Sequence, residues 1–140
     1  MTGRARSAAA GVAAALVWAA QEPLDRRVFG SDYSDVAVLG KALTRRHWRA
    51  VGIAVHATNG ALFGLAYHEA RRAVPVDPRR LALAMALAEH VALYPLGALV
   101  DRYHPAHGEP GVPPLATNAR AFGQATVRHG LFGIVLGRLV

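Results

Sequence analysis

Four apolar blocks, each near the roughly 20 residues that carry a helix across a bilayer, constrain this chain more than any other feature. They cover about residues 6–24, 50–68, 81–100 and 119–139, with arginine-bearing polar segments between them. Of 140 residues, 53% are hydrophobic and 18% charged, so polar side chains are too few to clothe a soluble globule built from four such blocks. The expected fold is all-α. It is a single transmembrane domain over residues 1–140, a four-transmembrane-helix bundle with a short interfacial helix in the first loop.

The third block tests that reading, because AMALAEHVALYPL sets Glu89 and His90 side by side inside an apolar run. Between Leu81 and Val100 stand six Leu and two Val. On an insertion scale these contribute about −2.4 to −4.8 kcal/mol, against about +3 for one central ionised acid. Insertion is near balance, and a partner for Glu89 would tip it toward spanning. His90, Tyr94, Gly97 and Asp101 fall at i, i+4, i+7 and i+11 and form one helical stripe. Pro95 removes a backbone donor and frees the carbonyl of Val91, so a kink is expected one turn past the Glu-His pair.

A weak internal repeat organises the blocks in pairs. WAAQEPLDR (Trp18 to Arg26) and YPLGALVDR (Tyr94 to Arg102) each bring Pro-Leu and then Asp-Arg to the end of an apolar block. NGALFGLAY resembles RHGLFGIVL, with Phe63-Gly64 matching Phe132-Gly133. The Pro-to-Phe separations are 40 and 37 residues. Two helical hairpins in tandem would leave both termini on one side. Arg4 and Arg6 ahead of AAAGVAAALVWAA also describe a signal peptide ending near Ala19, but the repeat makes the first block a working helix.

Among the connecting segments, SDYSDVAVLGKALTRRHW can start a short helix at a Ser/Asp cap, with Val36, Leu39 and Leu43 on one side, and is expected to lie at the headgroups. Asp25-Arg26-Arg27 and Asp101-Arg102 are expected to snorkel at helix ends. HPAHGEPGVPP is a proline-glycine loop; His104 and His107 with Asp101 and Glu109 could meet a surface metal there, but a solvated loop is the simpler expectation. The net charge of +7 comes almost wholly from arginines clustered between blocks, which suits lipid phosphates and excludes a nucleic-acid partner in the absence of any aromatic-interleaved basic run. Seven basic residues would stand on the terminal side and eight on the other. The short Arg71/Arg72 and Arg79/Arg80 loop turns this near tie toward cytoplasmic termini of a multi-pass cell-membrane protein. Without cysteine there is no disulfide, thiolate metal site or cysteine nucleophile.

Glycines are the expected packing device. Gly52, Gly60 and Gly64 in the second block and Gly133 and Gly137 in the fourth recur at steps of four or eight, the small-xxx-small spacing that lets helix backbones approach where hydrophobic association is weak. Matched depth then gathers the polar residues. His56, His90, His129 and Arg128 reach one level if neighbouring helices run antiparallel, with Glu89 beside His90 and Asn59 one turn from His56. Ionisable groups in a bilayer are expensive unless they face one another, and Glu89 with Arg128 is the expected ion pair.

Such a polar core supports several functions. It can lock the helices together in a structural or accessory, non-enzymatic protein with no cofactor, in contact with the bilayer and with a second copy or another membrane protein. His56, His90 and His129 can also ligate haem or a divalent metal, with Glu89 nearby. Titrating histidines and Glu89 can instead carry protons or a small solute. No catalytic residues are identified, because no Ser-His-Asp order, phosphate-cradling loop or paired-carboxylate pattern is present.

EPLDRRVFG, NGALFGLAYHEARR, EHVALYPLGALVDRYHP and RAFGQATVRHGLFGIVLG together resemble a family of small four-helix integral membrane proteins of unknown function. The resemblance implies the fold and brings no activity with it.

Overall fold

The computed structural model describes residues 2–140, and among them no strand occurs. Helix α1 (Gly3–Phe29) begins where the Thr2 hydroxyl accepts from the Ala5 amide, and it continues through Pro23 to a left-handed Gly30 at φ 59°. Helix α2 (Asp35–Leu43) begins at Ser34, whose hydroxyl accepts from the Ala37 amide. Helix α3 spans Trp48–Ala73. Asp77 accepts from the Arg79 and Arg80 amides to start α4 (Pro78–Leu93), with Pro78 in the first turn, where its missing N–H costs nothing. A 3-10 turn at Tyr94–Leu96, where Pro95 interrupts the backbone ladder, joins α4 to α5 (Gly97–Tyr103). The turn falls where Pro95 was expected to interrupt the helix. Asn118 caps α6 (Ala119–Leu139) by accepting from the Ala121 amide.

Two rods, Trp48–Ala73 and the continuous Pro78–Tyr103, are long and apolar enough to cross a membrane. Only 28% and 17% of their apolar windows are buried within the protein. A soluble core helix would hide most of such a window, whereas here Leu62, Leu65, Val91, Leu93, Leu96 and Leu99 face outward.

Backbone contact at glycine sets the packing. A Cβ on Gly60 would stand 2.4 Å from the Gly11 carbonyl oxygen, and one on Gly64 would stand 2.1 Å from that of Ser7, so α1 and α3 run antiparallel in direct contact. On the other side, a Cβ at Gly133 would lie 2.7 Å from the Leu83 Cα and one at Gly137 3.0 Å from the Arg79 Cα, which holds α6 against α4. Helix α6 also packs on α1, while α3 and α4, though consecutive, barely touch. Trp18, Tyr67, Phe132 and Leu136 fill the core between the two pairs, and Phe63 meets Phe132 edge to face at 5.1 Å.

Termini and the 74–77 connection gather at one end. There Arg6 Nε donates to the Leu139 carbonyl, Arg4 pairs with Glu69, and Tyr67 OH donates to the Pro78 carbonyl. The turns around residues 30–32 and 44–47 and the 104–118 segment occupy the other end.

Helix α2 forms in the first connection, as expected, and packs along α3. Gly40 sits on Trp48 and Gly52 on Val36, so four residues of α2 match four of α3 in reverse order. The helix therefore stands antiparallel along the first turns of α3. After α1 ends at Phe29 the chain turns back toward the middle of the protein before α2 leads it out again. A correction concerns the 104–118 loop, which is ordered and packed rather than merely solvated. Ala106, Val112 and Leu115 are buried, Gly111 donates its amide to Asp32, the Ser34 amide donates to Gly111, and Lys41 and Arg45 both pair with Glu109. Both ring nitrogens of His104 are used, one at the Val38 carbonyl and one at the Ala106 amide.

Candidate functional site

The expected single polar core is two adjoining sites. Arg128 and His129, next to each other on α6, point about 100° apart and serve different ones.

Arg128 is fully buried. Its guanidinium takes Asp25 of α1 in a two-pronged pair, Nη2 donating to Oδ1 at 2.7 Å and Nε to Oδ2 at 2.5 Å. Nη1 donates to Asp35 Oδ2 at 2.8 Å and stands 3.5 Å from Glu22 Oε1, while Nη2 also reaches the Tyr33 carbonyl at 2.9 Å. The Tyr33 ring covers the guanidinium at 5.1 Å. Every oxygen of the three carboxylates has a donor. Gln124 and Gln21 complete Asp25, Trp18 Nε1 and Tyr33 OH complete Asp35, and the Ser34 hydroxyl and Asp35 amide complete Glu22. With donors on every carboxylate oxygen, and only the Gln124 Oε1 beside them lacking a partner among the described residues, the cluster ties α1, α2 and α6 into one unit.

Glu89 is therefore not the partner of Arg128. Its Oε2 lies 3.9 Å from Nε2 of His129, and Asp25, which was expected to mark a snorkelling helix end, takes the arginine instead. Glu22, Asp25, Tyr33 and Asp35 are the residues sequence reasoning missed. Trp18, Glu22 and Asp25 stand at i, i+4 and i+7 on α1, a stripe visible in the sequence once the helix is allowed to run through Pro23.

Beside the cluster lies a cavity of about 260 Å3, and His56, Asn59, Glu89, His90 and His129 all line it, with Trp18, Phe63, Tyr94 and Phe132 among its aromatic walls. The five predicted polar residues thus meet, with Arg128 behind the wall. Trp18 contacts His56 at 5.0 Å and His129 at 4.5 Å between ring centres, edge to face in both cases. His90 packs on His129 at 4.8 Å, and its Nε2 is 2.8 Å from the Thr126 hydroxyl. That hydroxyl donates to the Phe122 carbonyl, so His90 Nε2 is the donor to it. His129 Nδ1 donates to the Ala125 carbonyl at 2.8 Å, which leaves the Nε2 lone pair of the neutral ring facing Glu89. His56 differs from both. The residue is 8% exposed, and its Nε2 is buried with no hydrogen-bond partner.

Haem and metal were expected candidates for this space. Among the described residues no three His, Asp or Glu side chains converge at metal-binding spacing. A cavity of about 260 Å3 is also small for a four-ring macrocycle, given that about 150 Å3 holds one benzene. The three-ligand set of a divalent metal site is therefore missing among the described residues, and the space is small for a haem.

Comparison of the chain with protein-family models, with curated proteins and with solved structures finds no match.

Proposed function

We propose that this chain is a multi-pass integral membrane protein with a structural or accessory, non-enzymatic role, whose arginine cluster holds a re-entrant helix in place beside a binding cavity. In this reading α1, α3, α4–α5 and α6 are four spans of a bundle built from two tandem hairpins, with glycine contacts of the GxxxG kind within each hairpin. The equivalent positions of Gly64 against α1 and Gly133 against α4 support the repeat. Helix α2 is a half-span that enters and leaves on one side. Irregular backbone at that depth is tolerable because its polar groups are met by protein, here by Glu22, Gln124 and Arg128.

The observation that carries the reading is the burial of Arg128 among three carboxylates, joined to the outward apolar faces of α3 and α4. An interior cluster in which a guanidinium and hydrogen-bond donors meet every carboxylate oxygen, with apolar helix faces outside, is the arrangement a bilayer demands. Those apolar faces meet lipid or a second copy. The test is an alkaline carbonate wash of membranes containing the protein, followed by absorption and metal analysis of the purified chain. Retention in the membrane, without colour or stoichiometric metal, is expected. Release by carbonate would overturn the spanning reading, and a haem band or one bound metal per chain would overturn the accessory one.

A further inference from the structure

We propose that the cavity between α3 and α4 binds the headgroup of a membrane-dissolved quinone or quinol, a single six-membered ring with oxygens at opposite edges. The inference rests on the membrane reading above and goes beyond it in naming the occupant.

Size comes first. About 150 Å3 of apolar cavity holds a benzene, and drug-sized ligands take about 300 Å3 or more. At about 260 Å3 the space suits one ring with a few small substituents. The walls suit a flat ring as well, since Trp18, Phe63, Tyr94 and Phe132 offer aromatic faces and edges.

Polar chemistry then selects the ring. His56 Nε2 is a buried nitrogen with nothing to bond to, on the α3 wall. Leaving such a group unsatisfied is costly, and a ligand oxygen would satisfy it. On the other side, His129 Nε2 and Glu89 Oε2 face each other at 3.9 Å, too far for a direct hydrogen bond and both able to accept. A ring oxygen fits there too, as a hydroxyl donating to the imidazole or a carbonyl receiving from a protonated carboxyl. At His129 the Nε2 lone pair accepts from a ring hydroxyl, while His56 Nε2 donates or accepts according to its tautomer.

Access points to the bilayer as the source. Because α3 and α4 barely touch, the cavity opens sideways between them, past Asn59 on one helix and Leu93, 51% exposed, on the other. A water-soluble ligand would need a route from an end of the protein. A lipid-soluble one enters directly, and its tail can stay in the window along the apolar faces.

The experiment uses the full chain in detergent, with Trp48→Phe to leave Trp18 as the reporting indole, and a para-benzoquinone carrying a short alkyl tail as probe. Saturable quenching of Trp18 at one probe per chain is expected, and an alkylbenzene of equal tail length should not displace the probe. His56→Phe keeps a ring beside Trp18 and removes the nitrogen, so binding should weaken about tenfold, the size of one hydrogen bond. Leu93→Trp narrows the window from a surface position that folding tolerates, and it should weaken binding as well. Quenching that never saturates, displacement by the alkylbenzene at equal potency, or unchanged affinity in both variants would overturn the proposal. A protein that resists carbonate yet fails these tests loses only this inference, whereas one released by carbonate loses both.

Discussion

Replacing Arg128 with methionine keeps most of the side-chain volume and removes the cation that pairs with buried Glu22 and Asp25 and half-buried Asp35. Four hydrogen bonds disappear, three of them to Asp25 and Asp35 and one to the Tyr33 carbonyl. Asp25 keeps Gln124 and Gln21, and Asp35 keeps Trp18 and Tyr33, so the acids retain some donors and lose their charge compensation. Breaking a buried pair from one side costs about 3–5 kcal/mol. At about 2–4 °C per kcal/mol for a chain approaching this size, the melting midpoint in detergent should fall by roughly 6–20 °C. Asp25→Asn alone should cost less, because the guanidinium still has Asp35 and Glu22. The double change should be less damaging than the sum of the two, with a coupling of at least about 1 kcal/mol, since neutralising Asp25 removes one of the charges stranded by Arg128→Met. Thermal unfolding of the four proteins, followed by Tyr and Trp fluorescence, completes the cycle. A loss under about 1 kcal/mol for Arg128→Met, or strict additivity, would refute the lock. Glu89→Gln should show no such coupling with Arg128→Met, because those two side chains serve different sites.

Gly64→Ala places a methyl 2.1 Å from the Ser7 carbonyl oxygen and should cost about 1–3 kcal/mol, whereas Gly130→Ala, with nothing within 4 Å, should gain up to about 1 kcal/mol of helix propensity; paired melting curves read the opposite signs. The loop at 104–118 should loosen in acid. Arg45, and after it Lys41, holds the Glu109 carboxyl below its ordinary value of 4.5, so its contribution is complete above that value and is lost as pH falls through the lower folded-state one. Amide exchange at Gly108 and Val112 should therefore approach that of Glu109→Gln only in acid, and equal exchange in the two proteins at neutral pH would contradict the contact.

Much of the fold was legible because its causes are local. The Ser34 cap announces α2, Pro95 forces the 3-10 turn, and glycines at four-residue spacing mark where backbones touch. Depth counting along α3, α4 and α6 also brought His56, Glu89, His90 and His129 to one level, with Asn59 one turn away, and all five line the cavity. Depth says nothing about direction around a helix. Arg128 and His129 share a level but diverge by about 100°, so the arginine turns to α1 and α2 and the histidine to α4. Asp35 could not be placed from sequence, because its position depends on a segment that turns back into the protein after α1. Asp25 was readable in principle, but Glu22-Pro23 looked like a helix end, and the proline is instead carried inside the helix.

Four spans fix the sides on which the connections lie, and a chain without cysteine is suited to measuring them. Val76→Cys, Arg46→Cys and Thr117→Cys, made singly at exposed positions, can be labelled in sealed spheroplasts and in opened membranes with a maleimide that does not cross the bilayer. Arg46 and Thr117 belong to one end of the protein and Val76 to the other. The first two sites should label from one side and the third from the opposite side, whichever side faces outward. Labelling of all three from the same side would contradict four spans and, with them, the intramembrane cluster and cavity.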